Sequence, residues 1–133
     1  MIEAKLIWTD NERFVGQALS NHAIAVVAGK EKTANSPTEL VLIALCGCTA
    51  ADVVSILRKK REPFTSLEVS AKGERATTPP TVYTEIKLVY RVGGQVSKKS
   101  MEDAVRLSEE KYCSVSAMLA KTANITYTIE YLD

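Results

Sequence analysis

Cys48 and Cys113 stand 65 positions apart, and their types and settings are the chemically suggestive feature of this sequence. Cys48 closes the run Ser36-Pro37-Thr38-Glu39-Leu40-Val41-Leu42-Ile43-Ala44-Leu45-Cys46-Gly47-Cys48, and Cys113 lies in Glu110-Lys111-Tyr112-Cys113-Ser114-Val115-Ser116. Two thiols brought together by a fold can form a reversible disulfide and run peroxide chemistry. A thiol packed among hydrophobes is otherwise an inert filler. Local sequence leaves both readings open for Cys48. It sits about three turns into a helical run, beyond the reach of the helix N-terminal dipole. Its same-face neighbour Asp52 is negative, so a reactive Cys48 requires a cation delivered from elsewhere in the fold. Cys113 falls at or just before a helix start, near Lys111, where free backbone N–H groups favour a thiolate. Its alternative is a small buried residue at a helix corner.

Arg13 follows the turn Asp10-Asn11-Glu12 and is the best single candidate for the cation that Cys48 lacks. Its plainer role is a solvated hairpin arginine. Cys46, two positions before Cys48, points about 160° away from it on a helix and reads as packing. With His22 the only histidine, the sequence offers no credible zinc set and no metal or other cofactor is expected. Glu39 is explained as a capping-box acid. No phosphate-cradling glycine loop and no Ser-His-acid set is present.

The elements that must position these residues fit one domain, 1–133, which is large enough to bury a core without staples. Net charge is +1, which gives no field for nucleic acid or an anionic membrane, and neither is expected as a partner. The longest unbroken apolar stretch, Leu40 to Leu45, is far short of the roughly 20 residues of a membrane span. No basic-then-apolar leader opens the sequence, and three cysteines fit no structural disulfide framework. The expected location is the cytoplasm, where any disulfide is transient and functional.

Residues 4–9 and 14–28 read as strands, with turns at Asp10-Asn11-Glu12 and at Ser20-Asn21. Ser36-Pro37-Thr38-Glu39 starts a helix that runs to Arg61, where Pro63 ends it: about 25 residues, or roughly 37 Å. Its first half is apolar on nearly every face, which requires burial all round. An intimate homodimer with this helix near its centre is the simplest solution. Leu67 to Arg75 and Val82 to Val92 alternate as an antiparallel pair joined through Thr77-Thr78-Pro79-Pro80. Ser97 to Tyr112 is a second helix, Val115 to Lys121 a short third one capped from Ser114, and Asn124 to Leu132 a closing strand. The class is α+β.

The segments Ser36-Pro37-Thr38-Glu39-Leu40 leading into Gly47-Cys48, and Lys111-Tyr112-Cys113-Ser114-Val115-Ser116, resemble the OsmC/Ohr family (osmotically inducible protein C and organic hydroperoxide resistance proteins). The resemblance extends over the element order and essentially the whole chain, and is nearest to the OsmC-like branch. It implies antiparallel sheets around a long central helix, an intertwined homodimer and thiol peroxidase activity. Cys48 would match the peroxidatic cysteine, and Cys113 the resolving cysteine that condenses with it to a disulfide. Organic hydroperoxide or hydrogen peroxide would be the substrate, and an external dithiol the reductant. Arg13 would match the arginine that holds Cys48 as thiolate, within its own subunit or across the dimer. One departure stands out: the hydroperoxide-resistance branch has a glutamate directly after the motif proline to orient that arginine, and here the position is Thr38. The competing expectation is a non-catalytic dimer of the same fold, acting as a small-molecule binder or redox sensor.

Overall fold

Residues 1–132 are described by the computed structural model, in the order β1 (Ala4–Asp10), β2 (Arg13–Ala18), β3 (Ala23–Val27), α1 (Pro37–Lys59), β4 (Phe64–Arg75), β5 (Tyr83–Gly94), α2 (Lys98–Leu107), α3 (Ser114–Leu119) and β6 (Asn124–Leu132). The chain divides into two compact units, Met1–Val41 and Leu42 onward.

The first unit is an antiparallel meander, β1-β2-β3. Both of its hairpin turns use asparagine in the left-handed region, Asn11 at φ 45° and Asn21 at φ 64°. Asparagine tolerates that conformation better than most residues because its short side chain bonds locally. Those are the turns that the sequence marks. A bridge from Val26 to Asn35 leads into the start of α1. There the capping box closes: Ser36 N–H donates to Glu39 Oε1 at 2.8 Å, and Glu39 N–H donates to Ser36 Oγ at 3.2 Å. Bonds from the Ser36 backbone and side chain hold the Glu39 carboxyl below its ordinary range.

In the second unit α1 stops at Lys59, short of the expected Arg61, because the chain turns left-handed before Pro63 is reached. Arg61 has φ 58°. Its N–H bonds to Arg58 O at 3.0 Å, and Glu62 N–H reaches Leu57 O at 2.9 Å, the two bonds of a Schellman ending. Leu45, Thr49, Val53 and Leu57 form the buried stripe of α1, one residue per turn. Ile86, Leu88, Tyr90 and Val92 alternate along β5 and are likewise buried, and Met101, Ala104 and Val105 of α2 complete this core. The spacing of four on the helix and two on the strand is what presents each row to one side.

The second sheet has the order β4-β5-β6. β4 and β5 are antiparallel as expected, with Val69 opposite Tyr90 and Leu67 opposite Val92. The expectation of purely antiparallel sheets is corrected at β6, which runs parallel to β5, with Tyr90 opposite Ile129. A parallel neighbour needs a crossover of a dozen or more residues, and positions 95–123 supply it. The expected helix Ser97 to Tyr112 is split along that crossover. α2 ends at Leu107, and Ser108–Tyr112 widen into a π-helical turn. Over 18 residues α1 has a mean hydropathy of 2.3, long and apolar enough by length and composition to cross a membrane, although no unbroken apolar run within it is that long.

Candidate active site

Cys48 and Cys113 both belong to the second unit, and the fold brings their side chains near enough for each thiol to shift the ionisation of the other. The π-helical turn ends at Cys113, whose N–H bonds to Ser108 O at 2.8 Å. Cys113 itself, rather than Ser114, caps α3: its Sγ accepts from Ser116 N–H at 3.3 Å. Starting α3 one residue earlier than expected points Ser114 and Val115 at the sulfur on α1. Ser114 Oγ lies 3.9 Å from Cys48 Sγ.

The two thiols are pushed in opposite directions. Partial burial raises Cys48, but donors outweigh it: the Val115 backbone N–H, the Cys113 thiol, the Ser114 hydroxyl and the Ser114 backbone N–H, leaving Cys48 below its ordinary value. Hydrogen bonds to the charged form favour that form. Cys113 is 3% exposed. Burial drives it up to about 12, further raised by Cys48 and by the charge of Glu109, and only partly offset by the Ser116 N–H. Local sequence had made Cys113 the more acidic thiol. The helix start it sits on instead spends its donors on Cys48, and burial wins at Cys113. The groups that lower Cys48 are thus the Val115 backbone N–H, the Cys113 thiol and the hydroxyl and N–H of Ser114.

Arg13 opens β2 in the first unit. Its Nε donates to Glu31 Oε1 and Oε2 at 2.9 and 3.1 Å, Nη2 donates to Glu31 Oε1, and Nη1 donates to Asp10 Oδ2 at 3.0 Å. A fork-to-carboxylate contact of this kind fixes the guanidinium plane. Glu31, in the loop after β3, is thus the carboxylate that fixes Arg13, while Glu39 is engaged by Ser36. Nothing in the sequence marks Glu31 for this. Cys46 is partly buried, and burial raises its thiol. Among the described residues, no group of three or more His, Cys, Asp or Glu side chains could hold a metal ion. Sequence reading also missed the polar side chains behind the cysteines, Thr49, Tyr90, Ser108 and Glu109, because residues on three separate segments meet there. A hint was available: Thr49 is the one polar residue of the stripe 45, 49, 53, 57 on an otherwise apolar helix face.

A family model described as OsmC-like protein matches residues 29–128. The protein YhfA of Escherichia coli K12 is 41% identical over 130 residues, covering 97% of each chain. The crystal structure of a hypothetical protein from Aquifex aeolicus VF5 superposes with a TM-score of 0.86 at 30% identity, over 100% of this chain and 98% of that one. At 13% identity, an organic hydroperoxide resistance protein from Elizabethkingia anophelis shares the fold with a TM-score of 0.77, over 99% of this chain and 96% of that one.

Proposed function

For a chain that belongs to the OsmC-like protein family, we propose the activity of a thiol-dependent peroxidase acting on organic hydroperoxides or hydrogen peroxide. One observation carries the reading: two neighbouring thiols that act on each other, one held below and the other far above the ordinary thiol value. That is the division of labour between an attacking thiolate and a resolving thiol. Cys48 thiolate attacks the distal peroxide oxygen, its S–O bond forms as O–O breaks, and the alkoxide leaves as alcohol after taking a proton. The product is the Cys48 sulfenic acid. The Cys113 sulfur then attacks the Cys48 sulfur, S–S forms, and hydroxide departs as water with the proton that Cys113 gives up. An external dithiol restores both thiols by exchange.

Arg13 is the cation of this reading, oriented by Glu31 and Asp10. A homodimer is part of it. Leu6, Trp8 and Ile24 are exposed on one face of the first sheet, Ile7 and Val15 on the other, and Ile43 on α1. Only 22% of the 18-residue apolar window of α1 is buried. A second copy covering these surfaces would remove the exposed apolar area. The cytoplasm suits a cycle that begins and ends with free thiols. The binder reading has in its favour a largely apolar cleft of about 540 Å³ in the first unit, lined by Leu6, Ile24, Val26 and Leu40.

Titration of the reduced protein with an organic hydroperoxide and with hydrogen peroxide, followed by intact mass, decides the matter. The expected result is stoichiometric formation of a Cys48–Cys113 disulfide while Cys46 stays free. Slow, even loss of all three thiols without that disulfide overturns the peroxidase and leaves the binder.

A further inference from the structure

Behind the two sulfurs runs a chain of side-chain oxygens. Ser108 Oγ donates to Asp52 Oδ2 at 2.9 Å, and Tyr90 OH donates to Glu109 Oε2 at 3.0 Å. Thr49 Oγ1 lies between them, 2.8 Å from Ser108 Oγ and 2.7 Å from Tyr90 OH. Ser116 Oγ donates to the other Glu109 oxygen at 2.9 Å. Thr49, Tyr90 and Ser108 are fully enclosed. The Asp52 end opens into a surface cleft of about 390 Å³ beside Lys59, Lys60 and Tyr112.

The protons of this chain can be counted. Each hydroxyl carries one. The protons of Ser108 and Tyr90 are committed to Asp52 and Glu109, to which those hydroxyls donate. Thr49 then has a single proton for two contacts, both at the length of a made O–H···O bond. Four links join Asp52 to Glu109, and three hydroxyl protons serve them. Polarised chains in a low-dielectric interior are costly when incomplete, so this one has room for a further proton. A proton entering at one end can be matched by one leaving at the other, each hydroxyl shifting its own by one link.

The Glu109 end adjoins the thiol that must lose a proton. Glu109 is near enough for its charge to act on the Cys113 thiol, and Ser116 steadies both, its Oγ donating to Glu109 and its backbone N–H donating to Cys113 Sγ, although neither of those bonds carries the proton. We propose that the chain Glu109–Tyr90–Thr49–Ser108–Asp52 is a proton relay for the resolving step, taking the Cys113 proton at Glu109 and releasing one at Asp52 into the cleft. This rests on the peroxidase reading. As the Cys113 electron pair forms the S–S bond, the Cys48 S–O bond breaks and hydroxide leaves. The Cys113 proton enters the chain, another leaves it to water, and water protonates the hydroxide. Thiol plus sulfenic acid become disulfide plus water.

Thr49→Val is the sharpest test, because it keeps the shape and leaves the Tyr90–Glu109, Ser108–Asp52 and Ser116–Glu109 bonds paired. In single-turnover experiments with one equivalent of organic hydroperoxide, sulfenic acid is trapped with a dione reagent and disulfide is followed by mass. Thr49→Val is expected to slow disulfide formation tenfold or more and to accumulate sulfenic acid, with Cys48 oxidation within about twofold of the parent. Thr49→Ser, which restores the hydroxyl, regains the rate. Resolution at the parent rate in Thr49→Val overturns the relay, as does equal slowing of both steps or a Thr49→Ser variant as slow as Thr49→Val. Should Thr49→Val fail to fold, Tyr90→Phe is judged by the same comparison of steps. Failure of the peroxidase reading shows in the parent, as absence of disulfide, whereas failure of the relay shows only in the variants.

Discussion

Ser114 Oγ sits 3.9 Å from Cys48 Sγ, so the first residue of α3 touches the sulfur carried by α1. The contact follows from Cys113 serving as its own helix cap, which turns Ser114 and Val115 toward α1. Ser114→Ala removes the hydroxyl and leaves both backbone donors in place. The Cys48 thiol is expected to rise, and its alkylation at neutral pH to slow roughly three- to tenfold, the fold-change for about 1 kcal/mol, a typical single hydrogen bond. Alkylation rate against pH measures it; an unchanged profile would show that the backbone N–H groups act alone.

Arg13→Ala is expected to slow the attack of Cys48 on an organic hydroperoxide and to move the rate-versus-pH profile upward. Glu31→Gln should lose part of the same rate, because the guanidinium keeps its charge but loses the carboxylate that fixes its plane. Denaturation midpoints should change little for either variant, since exposed pairs contribute little to stability. Stopped-flow rates over a pH series check both, and an Arg13→Ala profile superimposable on the parent removes Arg13 from the mechanism.

Alkaline stability should carry the mark of Cys113. Below the ordinary thiol value of 9.0 it is protonated whether folded or not, and its contribution is fully present. Between that value and about 12 the unfolded chain ionises while the folded chain does not, so stability falls as pH rises. Cys48 has the opposite sign: its lowered value adds stability above the ordinary thiol range, lost as pH falls through the folded value. Urea midpoints of the reduced protein from neutral to strongly alkaline pH should decline, and Cys113→Ser should flatten that decline. A decline of equal slope in the variant refutes the assignment.

Arg61 holds the left-handed position that closes α1. Glycine adopts that conformation without steric cost, so Arg61→Gly should stabilise the protein by about 1 kcal/mol. Thermal or urea unfolding measures it, and a destabilised variant would mean that the arginine side chain contributes more than the backbone strain costs.

Much of this architecture was legible because it is local. The capping box at Ser36 and Glu39, the asparagine turns at Asn11 and Asn21, and the alternation of Ile86, Leu88, Tyr90 and Val92 are all written within a few residues of where they act. The pairing of Cys48 with Cys113 came from the resemblance of two motifs, since no local pattern joins positions so far apart. What stayed hidden was decided by tertiary placement. The direction of β6 depends on the crossover, the acidity of each thiol on which one α3 serves, and the partner of Arg13 on a loop without a motif. The helix boundary at Lys59 was set by backbone geometry at Arg61, a residue type that gives no warning of a left-handed turn.

The parallel pairing of β6 on β5 also orders events in time. Cys113 lies on the segment between these two strands, and its charge acts on Tyr90 of β5. Antiparallel hairpins such as β1–β2 close over a few residues, whereas Glu85 meets Asn124 only after the whole crossover has been made. Contacts of such sequence separation form late and slowly. On the peroxidase reading, a chain still growing toward Cys113 carries Cys48 as a thiol whose proposed resolving partner has yet to be made.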